Sequence, residues 1–191
     1  MNTKELLKSI GTRTNGDLYF GVVGPVRSGK STFIKKFMEI AVIPNISDEG
    51  DKKRTIDELP QSGVGKTITT TEPKFVPNNA VNLTFDSGVS ARIRLVDCVG
   101  YMVPTATGDE EDGMARMVRT PWCENDIPFK DAAEIGTRKV ISEHSTIGIM
   151  VTTDGSVTDI DRLSYIKAEE RVVRELKEAQ KPFVIVLNSS N

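Results

Sequence analysis

The sequence predicts an α/β fold: a three-layer α/β/α sandwich built on a mostly parallel sheet with one antiparallel hairpin strand. Three observations predict it. Short apolar runs of strand length alternate with helix-length segments along the 191 residues. The first run, Leu18 to Val23, leads directly into GPVRSGKS, Gly24 to Ser31, and then into a helical segment from Thr32 to Met38. A later run closes in Leu95-Val96-Asp97-Cys98-Val99-Gly100, an acid at the mouth of a buried strand with a glycine three residues on.

Residues 1–16 read as an N-terminal extension. Leu6, Leu7 and Ile10 would share one side of a short helix before the Asn15-Gly16 turn, and residues 17–191 would form the domain. Strand, glycine-bounded loop and helix start then follow without interruption. GPVRSGKS matches the P-loop pattern of Gly, four residues, Gly-Lys-Ser. Two glycines let successive backbone N–H groups turn into one anion hole, and the new helix adds its positive end. The loop residues Gly24, Pro25, Val26, Arg27, Ser28, Gly29, Lys30, Ser31 and Thr32 are the expected nucleotide contacts. In that pattern Lys30 reaches the β- and γ-phosphates as a point charge and the Ser31 hydroxyl ligates Mg²⁺, so the sequence predicts a P-loop NTPase.

From about residue 44 to 65 the composition turns polar and charged, with Pro60 and glycines breaking any long helix, which reads as a surface excursion. Its end, Gly63-Val64-Gly65-Lys66-Thr67, imitates a second P-loop, but Pro60 stands where the first glycine is required. Lys66 to Phe75 follows with four threonines from Thr67 to Thr71. Thr70 and Thr71 are candidates for a switch loop that closes over Mg²⁺ and the γ-phosphate, with Thr71 a metal ligand; the bland reading is a β-prone edge segment. Val81 to Phe85 and Ala91 to Val96 flank Asp86-Ser87-Gly88 as a hairpin. At the tip of the second strand, Asp97 would hold Mg²⁺ and the Gly100 N–H would sense the γ-phosphate.

Residues 101–128, rich in Gly, Pro, Asp and Glu, read as a mobile loop after that sensor. Phe129 to His144 reads as a helix, Ile147 to Val151 as a strand, Asp159 to Ala179 as an amphipathic helix and Phe183 to Leu187 as the last strand. In that helix Ile160, Leu163, Ile166, Val172, Val173, Leu176 and Ala179 form the expected inner face.

Composition narrows the function. A net charge of −2 and 38% hydrophobic residues describe an ordinary globular chain, and the short basic runs at Lys35-Lys36 and Lys52-Arg54 are no footprint for nucleic acid. No apolar run approaches the ~20 residues of a membrane span and the N-terminus lacks a signal segment, so the chain reads as cytosolic. Cys98 and Cys123 read as reduced thiols, and His144 has no triad partners in sequence.

The order of elements is that of a switch-type GTPase, in which Asn-Lys-x-Asp would follow the last strand and its aspartate would take a bidentate pair from guanine. Here the residues are Asn188, Ser189, Ser190 and Asn191. Asn188 is kept as a nucleotide contact, while the lost carboxylate should cost on the order of a hundredfold in guanine preference, which selects ATP. Where many small GTPases carry a water-orienting glutamine, this chain has Tyr101. Arg27 either stabilises transferred charge or points outward into solvent. A GTPase switch and a non-hydrolysing scaffold remain the competing readings.

GDLYFGVVGPVRSGKSTFIKKFME, KTITTTEPKFVPN, IRLVDCVGY, AAEIGTRKVISEHSTIG and YIKAEERVVRELKEAQKPF together resemble the ATPase-domain family of stage IV sporulation protein A over nearly the whole length. The resemblance implies a relative of translation-factor GTPases that uses Mg²⁺ and ATP, whose hydrolysis drives self-association into a static polymer under the spore coat. It assigns Lys30 to the P-loop lysine, Asp97 to the Mg²⁺-associated aspartate and Thr70 with Thr71 to the nucleotide-sensing threonines. It also implies a location in the mother cell at the forespore surface. Family proteins are longer, so the chain is expected to lack middle and C-terminal regions. Those regions would meet a small amphipathic membrane peptide and other coat proteins.

Overall fold

The structure, a computed structural model, describes residues 17–60, 71–84, 90–104, 106, 108–111 and 113–190. Five strands form the central sheet: β1 (Asp17–Val23), β2 (Lys74–Thr84), β3 (Ser90–Asp97), β4 (Ile147–Thr153) and β5 (Phe183–Asn188). Their order is β2-β3-β1-β4-β5. β2 runs antiparallel to β3 with a register shift between Val76 and Val81, and every other pairing is parallel. The chain leaves β1 for β3 on one side and returns to β4 on the other, so the crevice at the strand C-termini opens beside β1.

Alternation along the strands divides the core in two. Leu18 and Val22 of β1, Ile93 and Leu95 of β3, and Ile149 and Val151 of β4 face one side, where they pack with Ile34 and Met38. Val23, Val96 and Met150, one residue out of phase, face the other, with Val140, Val172 and Leu176. The first face is covered by helix α1 (Lys30–Phe37), its π-helical extension Met38–Val42 and helix α2 (Glu49–Asp57). The second is covered by α3 (Phe129–Ser142) and α4 (Ile166–Glu178). The three-layer sandwich expected from the sequence is the one observed.

Three segments differ from the sequence reading. The excursion at 44–65 holds, within its described part, a 3₁₀ turn at Ile43–Asn45 and then α2. Asp48 caps that helix by accepting from the Asp51 N–H at 2.7 Å. Ile43, Ile46 and Thr55 are buried, so four polar residues between apolar ones hid a real inner face. Residues 101–128 are not a featureless loop: Tyr101, Val103, Ala106 and Thr120 are buried. Glu110–Glu111 pairs with Met114–Ala115 and Met117–Val118 with Ile127–Pro128. Strands of two residues are too short to show a period. The last long helix begins as a 3₁₀ turn, Arg162–Tyr165, capped by Asp161, and becomes α-helical only at Ile166. Leu163 therefore turns outward, 71% exposed, and Tyr165 takes the buried place. The proposed helix at residues 3–10, the decoy loop at 63–67, most of the threonine cluster and the hairpin turn at 86–88 lie outside the described residues.

Candidate functional site

Gly24 to Ser31 leaves the C-terminal end of β1 and enters α1, whose first residue is Lys30. The turn requires Gly29, which takes φ +95° at the helix N-cap; a Cβ there would also strike the Asn188 side chain. Arg27 adopts φ +57°. The Lys30 side chain is buried and its ammonium donates to the Pro25 carbonyl at 2.6 Å, so the loop is wrapped around it. Burial lowers the lysine pKa, while Cys98 and Asp97 beside it pull the other way.

The Ser31 hydroxyl donates to Asp97 Oδ2 at 2.6 Å, which joins the first turn of α1 to the tip of β3. Asp97 Oδ1 is shut off from solvent and has no hydrogen-bond partner among the described residues. Burial raises the Asp97 pKa, opposed by the Ser31 bond and the Lys30 charge. Gly100 has φ +94°, and a Cβ there would meet the Gly24 carbonyl and, at 2.6 Å, the Lys30 ammonium. The two sequence motifs thus converge on one place. An unpartnered buried carboxylate oxygen next to a serine hydroxyl is a hard-oxygen donor set suited to Mg²⁺. Ser31 and Asp97 are the residues that would hold it.

The other expected site residues fall as follows. The Gly100 N–H donates to Thr137 Oγ1 at 3.1 Å, and that hydroxyl donates to the Ala133 carbonyl at 2.8 Å. Thr71 is buried, and a Cβ on Gly136 would lie 2.8 Å from the Thr71 carbonyl, which places the end of the threonine cluster against α3. Thr70 lies outside the described residues. Asn188 donates from Nδ2 to the Ser28 carbonyl at 3.2 Å, bracing the loop. Ser28 is fully buried and its Oγ has no partner among the described residues. Arg27 points to Asp159, with Nη1 3.6 Å from Oδ1. Ser189 donates to Asp154 at 2.6 Å, and Asn191 lies outside the described residues.

Sequence reading missed Thr137, Gly136 and Asp159. Each acts across a distance in chain that no local pattern spans; the one signal was Gly136-Thr137, two poor helix formers inside a helix. Tyr101, flagged only as a missing glutamine, is 2% exposed and turned away from the loop mouth toward Glu175.

A glycine-bounded loop at a parallel sheet's switch point, a buried lysine and a strand-tip aspartate define a P-loop NTPase-like site. A model of the family described as "Stage IV sporulation protein A, ATPase domain" matches residues 1–191, and the chain belongs to that family. Stage IV sporulation protein A of Bacillus anthracis is 62% identical over 189 residues, 99% of this chain and 38% of that protein. The Bacillus subtilis (strain 168) protein of the same name has the same identity and coverage. That of Clostridioides difficile (strain 630) is 60% identical over 184 residues, 96% of this chain and 38% of its own length. The chain spans about 38% of the length of these curated relatives. Among the described residues no helix is long and apolar enough to cross a membrane.

Proposed function

We propose that this ATPase-family chain binds ATP with Mg²⁺ and hydrolyses it to ADP and phosphate. The observation that carries the reading is the Ser31–Asp97 pair, with its unpartnered oxygen, set beside the buried Lys30. Mg²⁺ would supply charge neutralisation between the β- and γ-phosphates. The residues do the rest. The loop N–H groups and the α1 N-terminus bind the phosphates, and Lys30, already stripped of water, offers its charge to them. Its hydrogen bond to Pro25 is the one a phosphate oxygen would replace. The Gly100 N–H, held by Thr137, is placed to be shared with an incoming γ-phosphate oxygen. Thr70 and Thr71 remain the proposed sensing segment, with Thr71 a proposed metal ligand. Arg27 serves transferred charge by leaving Asp159, an exposed partner at long range whose hold is weak.

Adenine is favoured over guanine because no carboxylate follows β5 at the residues Asn188 to Asn191. Asn188 and Ser189 are moreover engaged with Ser28 and Asp154. We further infer, from the family, that turnover drives self-association into a polymer at the forespore surface of the mother cell. In that reading a small amphipathic membrane peptide and other coat proteins engage the rest of the longer protein.

Phosphate release with ATP and with GTP, alongside sedimentable polymer, tests this. The expected result is release with ATP, at least tenfold less with GTP, and loss of release in Lys30→Ala. Equal polymer without nucleotide would favour a scaffold instead, and tighter binding of GTP would reverse the base assignment.

A further inference from the structure

We propose that Tyr101 is a positioning residue: it latches both halves of the nucleotide site to the α3–α4 pair through Glu175, Arg171 and Glu134. The proposal deepens the ATPase reading above and rests on it. Tyr101 follows Gly100 directly, and its backbone is bonded to the phosphate loop on both sides. Its N–H donates to the Gly24 carbonyl at 3.1 Å and its carbonyl accepts from the Val26 N–H at 2.9 Å. One peptide unit therefore fixes the spacing between the glycine loop and the strand-tip segment.

The side chain carries that spacing into the helices. The Tyr101 hydroxyl bonds to the Glu175 carboxylate of α4, and the Arg171 guanidinium carbon stands 4.0 Å from the ring centroid. Arg171 pairs with Glu175 at 3.0 Å and with Glu134 of α3 at 2.9 Å. The cluster thus spans both helices and ends on one phenol. Burial, with the Glu175 bond second, raises the Tyr101 pKa, which keeps the hydroxyl a proton donor. A core tyrosine needs only its ring to fill volume, and a phenylalanine would pack there equally well. The hydroxyl and its three charged partners are an addition to that packing. What they supply is a fixed angle for the Gly100–Tyr101 peptide, and catalysis by fixed dipoles depends on such angles.

The test compares the chain with Tyr101→Phe, Arg171→Gln and the double variant. It reads ATP turnover, affinity for a fluorescent ATP analogue, melting temperature and amide exchange at Val26. The latch predicts that each single variant keeps analogue affinity within about threefold and loses about tenfold in kcat. It also predicts faster exchange at Val26, and a double variant no worse than either single one. Unchanged kcat in Tyr101→Phe overturns the latch, and so does a loss of affinity and melting temperature in step with kcat. If the unaltered chain binds the analogue but releases no phosphate, the ATPase reading fails by itself. Val26 exchange then decides the latch, because unchanged exchange in both single variants removes it.

Discussion

Burying a lysine costs solvation, and Lys30 recovers only part of it from the Pro25 carbonyl. A residue kept in that condition serves something other than the fold, and Asp97, also buried with an oxygen unpartnered, is its counterpart. Both were legible in sequence because their motifs are local: eight residues in one case and four in the other. Thr137 was not, since its claim to the site is a hydrogen bond to Gly100, 37 residues upstream. Cys98 offers a check on burial at this scale. It is 7% exposed, its thiol donates to the Val22 carbonyl at 3.5 Å, and burial pushes its pKa up to about 11. Cys123 is half-buried. At pH 8 a thiol-specific reagent is expected to label Cys123 in the folded chain and spare Cys98, with both labelled in urea. Fast labelling of Cys98 in the native chain would contradict this placement of the β3 tip.

At the scale of elements, strands were read well and helix starts less so. A buried strand announces itself by composition, whereas a 3₁₀ first turn shifts the face of everything before it. Leu163 and Leu176 measure the difference. Leu176 is fully buried between α4 and the sheet, so Leu176→Ala should lower stability by about 2–5 kcal/mol. Leu163, which helical spacing placed on the inner face, is exposed, and Leu163→Ala should stay within about 0.5 kcal/mol. Urea unfolding of both variants decides between the two faces. The tips of β4 and β5 are tied by Asp154, which accepts from the Ser156 hydroxyl and from Ser189, each at 2.6 Å. The Ser156 bond, then that of Ser189, lowers its pKa from 3.8 to about 2. A carboxyl lowered on folding adds stability above its unfolded pKa, and that contribution disappears as pH falls toward the folded value. Unfolding midpoints between pH 5 and pH 2 should therefore fall more steeply in the unaltered chain than in Asp154→Asn. Parallel curves would show that the tie contributes nothing.

Across the whole molecule, the two cores on opposite faces of β1 hold the strand C-termini level, and the site stands on that edge. The α/β alternation made this architecture readable, while the packing of residues 101–128 and of α2 depended on contacts too scattered to leave a period. Only the assembled sheet brings Gly24, Lys30, Asp97 and Gly100 together, through the parallel register that sets Val22 beside Asp97. The most direct measurement is calorimetric titration of ATP with and without Mg²⁺, for the unaltered chain, Ser31→Ala and Asp97→Asn. One shared Mg²⁺–triphosphate site predicts that Mg²⁺ tightens binding at least tenfold in the unaltered chain. Both variants should lose that increment and keep the Mg²⁺-free affinity. An increment of unchanged size in both variants would mean that the strand-tip acid and the glycine loop do not serve the same ligand.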